Sequence, residues 1–162
     1  MRGINLGFVF FFFVSWLVTV LFAVMKKSLS FVENLFVLSI ILIVSVNWSW
    51  IIFEEFKFLE ISRQPLDYIA FLINRSIGIP LIIVIMLNAV KFANSKGKVY
   101  LYVGLSTVTL IVLKMIGNYL NITKLNNWNT MYDVLYFLFL HLIAYFSLQM
   151  FRKLKKEEVT MS

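Results

Sequence analysis

Residues 4–25 read INLGFVFFFFVSWLVTVLFAVM, an apolar run without a single charged side chain. A helix rises about 1.5 Å per residue and bilayer hydrocarbon is roughly 30 Å thick, so about 20 such residues cross it. Four more runs of this kind follow, at approximately 35–53, 68–90, 99–120 and 131–150. The polar stretches KKSLSFVEN, EEFKFLEISRQPLD, KFANSKGK and NITKLNNWNT separate them, and RKLKKEE follows the last. The expected architecture is an all-α integral membrane protein. About five transmembrane helices form one polytopic domain over 1–162, with a short basic cytosolic tail at 151–162.

The first run resembles a secretory leader because Arg2 precedes it, but it exceeds the usual apolar length and ends in FAVMKK without a small-x-small cleavage site. It is read as a retained span. Gly3 and Gly7 form a GxxxG at its edge, too near the end for helix dimerisation.

Composition agrees. Hydrophobic residues make up 61% of the chain and charged residues only 14%, against about a quarter charged in a soluble domain. A core of this size cannot hide that apolar excess, so the solvent must be lipid. Cysteine is absent, which excludes disulfides, thiolate metal sites and cysteine nucleophiles. The net charge of +7 is explained by cytosolic loops facing anionic headgroups rather than by nucleic acid. Abundant Phe, Ile, Leu, Lys and Asn with sparse Ala and Gly match AT-rich bacterial codons, so the expected location is a bacterial cytoplasmic membrane, crossed several times.

Lys and Arg decide the orientation, because they accumulate on the cytosolic side. With the C-terminus inside, the inner regions hold Lys26, Lys27, Lys91, Lys96, Lys98, Arg152, Lys153, Lys155 and Lys156, against Arg2, Lys57, Arg63 and Lys124 outside. The N-terminus is therefore placed outside and the C-terminus in the cytosol. Trp48, Trp50, Tyr68, Tyr119, Trp128 and Tyr132 then form an outer aromatic belt. The loop 54–67 carries Phe56, Phe58, Leu59 and Ile61 among its charges, and reads as an interfacial amphipathic or partly re-entrant segment before Pro65.

A charge at mid-bilayer costs about 2.5–3.5 kcal/mol on insertion scales, so intramembrane charges are functional candidates. Arg75 lies roughly 10 Å below the outer end of the third span and Lys114 roughly 9 Å below that of the fourth. Asp133 sits just inside the outer end of the fifth, with His141 near mid-depth. Asn47, Ser49, Asn74 and Asn118 share the outer depth, while the inner half reads as mostly apolar. These residues either join helices by hydrogen bonds or line an outward-facing polar vestibule.

Side-chain direction separates the two cations, since the Cα–Cβ bond tilts toward a helix's N-terminus. Arg75 leans outward and is expected to snorkel to the headgroups. Lys114 leans inward and needs a partner. Asp133 is the expected one, because a short loop makes the fourth and fifth helices antiparallel neighbours. His141 lacks the companions of a metal site and reads as a helix-packing histidine. Pro80 in RSIGIP removes a backbone bond to Ser76 and marks a kink with hinge potential.

No phosphate loop, HExxH or GxSxG is present, and no cofactor or metal is expected. The first functional expectation is a non-enzymatic accessory, immunity or regulatory protein that binds another membrane component, whether a second membrane protein, a further copy of itself or the lipid bilayer. The alternatives are a small solute transporter or channel subunit using the polar cluster, and a lipid-modifying enzyme whose acid-base pair would be Asp133 with the acidic loop 54–67.

Overall fold

The structure is a computed structural model that describes residues 5–126 and 128–161, with side chains through Glu157. Arg2, Gly3 and Ile4, used in reading charge bias, GxxxG and the first span, lie outside the described residues. Among the described residues, five helices are long and apolar enough to span a membrane. They are α1 (Leu6–Val24), α2 (Phe31–Glu55), α3 (Pro65–Lys91), α4 (Lys96–Tyr119) and α5 (Thr130–Met161).

The starts of these helices follow from capping. Asn5 accepts a hydrogen bond from the Phe8 amide at 2.9 Å to open α1. Ser30 and Glu33 close a reciprocal capping box at the start of α2. Pro65 stands at the first position of α3, where its missing N–H costs nothing. Ser95 caps α4. Thus α2 starts at Phe31 rather than near residue 35, since the polar pair Glu33–Asn34 belongs to the helix. The fifth helix continues to Met161, so the stretch expected as a tail from 151 is helical.

An exclusively helical fold is incomplete, because Leu59–Ile61 (β1) pairs antiparallel with Thr123–Leu125 (β2). Glu60 faces Lys124, an opposite-charge pair directly across the ladder. The loop 54–67 thus contains the end of α2 and a strand, with Leu59 buried and Glu60 exposed. The strand β2 is aimed by the end of α4. Ile122 donates its amide to the Gly117 carbonyl at 3.0 Å and Asn121 to the Asn118 carbonyl at 3.0 Å. These are the two bonds of a Schellman turn. Asn121 takes the left-handed conformation the turn requires, at φ 58°.

The ribbon ties the α2–α3 connection to the α4–α5 connection and covers one end of the bundle with buried Leu59, Ile122 and Thr123. At this ribbon end α1, α3 and α5 begin; at the opposite end α2 and α4 begin.

The third helix is the axis of the bundle and touches all four others. Ile83, Val84 and Asn88 on it are fully enclosed. The perimeter is apolar: Phe12, Phe13, Leu17, Leu101, Leu105 and Phe146 are all exposed. Helices α2 and α5 run antiparallel in one register, with Phe36 against Phe151 at 5.0 Å and Trp48 stacked on Tyr136 at 4.9 Å.

Candidate functional site

Two of the helices lose regular winding at the ribbon end. Ile51–Glu55 of α2 and Asn74–Gly78 of α3 are π-helical turns, which are frequent at functional sites. The second lies just before Pro80, where the sequence marks a kink. The proline ring cannot donate to Ser76, and the preceding turn widens so that the Ile79 amide reaches the Asn74 carbonyl. Pro80 itself is buried within the α-helical part that follows.

Between these turns and α4, α5 and the ribbon lies a cavity of about 70 Å³, walled by Ser49, Asn74, Arg75, Lys114, Asp133 and Tyr136 among others. That is room for a handful of waters at roughly 10–15 Å³ each, or for one small oxyanion. Lys114 Nζ stands 3.5 Å from Asp133 Oδ1, so the ion pair expected between the fourth and fifth helices is present. The side chains are only 20% and 6% exposed, which places the pair inside the bundle.

Arg75 is half-buried and lines the cavity, and its Nε is enclosed without a hydrogen-bond partner. The central place of α3 leaves this side chain few directions free of neighbouring helices. Its guanidinium lies 5.4 Å from the Phe71 ring centroid, and Lys114 Nζ lies 5.8 Å from that of Phe53. The two rings meet edge to face at 5.0 Å, so an aromatic pair stands between the two cations.

Two further buried atoms facing the cavity have no partner, Asn74 Oδ1 and Trp128 Nε1. Gly78 makes the Asn74 position possible, since a Cβ there would fall 2.8 Å from Oδ1. Buried polar groups are nearly always bonded, so three unsatisfied atoms around one small cavity call for a polar occupant. Arg75 and Lys114 against Asp133 leave a net positive charge, which favours an anion.

Other sequence candidates are not brought to this cavity. Asn47 is exposed on the perimeter and donates to the Ile43 carbonyl of its own helix at 2.8 Å. It points away because Trp48, Ser49 and Ile52 occupy the inward face of α2. Asn118 accepts the Thr123 hydroxyl at 2.5 Å and so anchors the ribbon. His141 joins α5 to α4. Its Nδ1 donates to the Phe137 carbonyl at 2.6 Å and its Nε2 contacts Ser106 Oγ at 2.9 Å. A carbonyl only accepts, so Nδ1 carries the hydrogen.

Trp48 and Trp128, read as part of an aromatic belt, also line the cavity. On their far side is an aromatic cleft between α2 and α5 of about 780 Å³, lined by Phe56, Phe58, Tyr132, Leu135 and Phe139. Trp48, Ile52, Trp128 and Tyr136 line both spaces.

The half of the bundle away from the ribbon is not uniformly apolar, contrary to expectation. Asn88 Oδ1 accepts the amides of Ser28 and Leu29 at 3.0 and 3.1 Å, and its Nδ2 donates to Asn34 Oδ1 at 2.6 Å. Glu33 pairs with Arg152 through a bond of 2.5 Å. Both lie where the sequence marks only span ends, and hydropathy carries no signal for their convergence.

No family model matches the chain, and neither a curated protein nor a solved structure shows significant similarity to it.

Proposed function

We propose that the chain is a multi-pass membrane protein, ribbon end outside and α5 ending in the cytosol, that acts without catalysis by binding another membrane component at the ribbon-end cavity. One observation carries this reading: Arg75, whose buried Nε has no hydrogen-bond partner, stands with the Lys114–Asp133 pair and two other unsatisfied polar atoms around one cavity. A half-buried cation without a counter-charge is costly unless something occupies the space beside it.

The packing beneath the cavity supports a binding protein over a solute transporter. Ile83, Val84, Leu140 and Ala144 are fully enclosed, and the Asn88 knot closes the far end. A lipid-modifying reaction would need a free acid, and the cavity's carboxylate is held by Lys114.

The test is purification of the tagged full-length chain from its own membranes in nanodiscs, with mass spectrometry of whatever accompanies it. A component retained by the wild type and lost from Arg75→Gln is expected. Equal retention by both proteins removes the cavity from the account. A reporter domain fused after Ser162 is expected in the cytosol; an external reporter overturns the orientation.

A further inference from the structure

We propose that the bound component is an anionic phospholipid, its phosphate in the Arg75–Lys114 cavity and its acyl chain in the aromatic cleft between α2 and α5. This rests on the reading of the cavity as a binding site and names what enters it.

The argument starts from access. The ribbon covers the bundle's end over the cavity, with Leu59 at 1% and Ile122 at 2% exposure, so approach along the bundle axis is obstructed. To the side, the cavity adjoins the cleft, with Trp48, Ile52, Trp128 and Tyr136 lining both spaces. The cleft opens at the perimeter, where Leu135 and Phe139 are more than half exposed. A ligand that enters laterally comes from the bilayer.

The chemistry of the two spaces is that of an amphiphile. The cavity offers the Arg75 guanidinium, the Lys114 ammonium and the Trp128 N–H, all donors, and only Asp133 and the Asn74 carbonyl oppose them. Arginine and lysine beside unsatisfied donors suit a phosphate oxyanion. The cleft, at about 780 Å³, falls in the size range of small-molecule sites and is lined almost wholly by aromatic and aliphatic side chains. Its walls, Phe58 against Trp128 at 6.1 Å and Trp128 against Tyr132 at 5.2 Å, present ring faces and edges to a hydrocarbon chain. A free phosphate would use the cavity and leave the cleft without a role. A lipid uses both.

The experiment uses the full chain in phosphatidylcholine nanodiscs with and without phosphatidylglycerol, with lipids retained after release into detergent measured by native mass spectrometry. Binding of inorganic phosphate to the detergent-solubilised chain is measured in parallel. The wild type should retain phosphatidylglycerol in preference to phosphatidylcholine. Arg75→Gln should lower that retention at least about tenfold, because it removes charge-assisted bonds to the phosphate. Leu135→Trp, which fills the cleft from an exposed position, should lower it as well, and Arg75→Lys should restore part of what Arg75→Gln loses.

Phosphatidylglycerol retained equally by wild type and both loss variants is annular lipid and overturns the proposal. Phosphate bound in an Arg75-dependent way without preference for phosphatidylglycerol overturns the lipid assignment and leaves the cavity a binding site. Should neither probe bind while another component accompanies the chain in an Arg75-dependent way, the lipid assignment alone falls.

Discussion

Replacing Asn88 with leucine should weaken the bundle more than its chemistry as a single amide suggests. Asn88 is fully enclosed on α3 and makes three side-chain bonds of 3.1 Å or less to other elements, to the Ser28 and Leu29 amides and to the Asn34 amide oxygen, besides a longer one of 3.5 Å from the Ser28 hydroxyl. Its bond to the Val84 carbonyl stays within its own helix. Interhelical hydrogen bonds in membrane proteins contribute about 0.6 kcal/mol each on average and up to about 1.7. Three of them sum to about 2–5 kcal/mol. Leucine has the same branched shape with bulkier methyl groups, so no cavity forms and overpacking can only add to the loss. Two N–H groups and one carbonyl are instead left unpaired, and Leu29 is only 4% exposed, so water is a poor substitute there. That pushes the expected cost to about 3 kcal/mol or more. Reversible unfolding in mixed micelles of mild detergent and dodecyl sulfate, followed by tryptophan fluorescence, measures it. The double mutant with Asn34→Leu should be sub-additive by roughly 1 kcal/mol, since both residues share the 2.6 Å bond. A loss below about 1 kcal/mol for Asn88→Leu, or strict additivity with Asn34→Leu, would refute the idea that this knot fastens α2 and its preceding loop to α3.

Reversing the Lys114–Asp133 pair is a second perturbation. Lys114→Asp or Asp133→Lys alone should cost about 2–4 kcal/mol in the same unfolding assay, and the double swap should recover a measurable part. A swap that folds no better than either single variant denies the pair its role in joining α4 to α5. The ribbon register is tested by Glu60→Cys with Lys124→Cys. These positions are direct partners in the ladder, where Cα atoms sit about 5.5 Å apart, within disulfide reach. The chain has no native cysteine, so oxidation should yield a single intramolecular crosslink visible as a two-hydrogen mass loss. Two persistent free thiols would mean a different pairing.

The difference between what was legible and what was not has a physical pattern. Lys114 and Asp133 could be paired from sequence because a short loop makes their helices neighbours and depth along each helix is countable. Arg75 could not be placed from its tilt along the axis. Tilt says nothing about which side of α3 meets other helices. Asn47 failed for the same reason, since depth alone put it with Ser49 while rotation about α2 sends the two apart. The ribbon left no local trace at all. Each strand is three residues long, and its partner lies about sixty residues away in sequence.

Sequence alone determined that five stretches are apolar and long enough to span a membrane, because hydropathy over some twenty residues is a local sum that no neighbour can change. Lys and Arg placement likewise underlies the proposed orientation. Tertiary structure alone decided which polar residues meet: that Arg75 turns into the cavity with Lys114 and Asp133, that Asn34 and Asn88 find each other, and that the ribbon covers one end. Those contacts depend on the rotation of each helix about its own axis and on the choice of α3 as the central helix. Both are set by packing all five helices together, where every side chain's environment is fixed by residues distant in sequence.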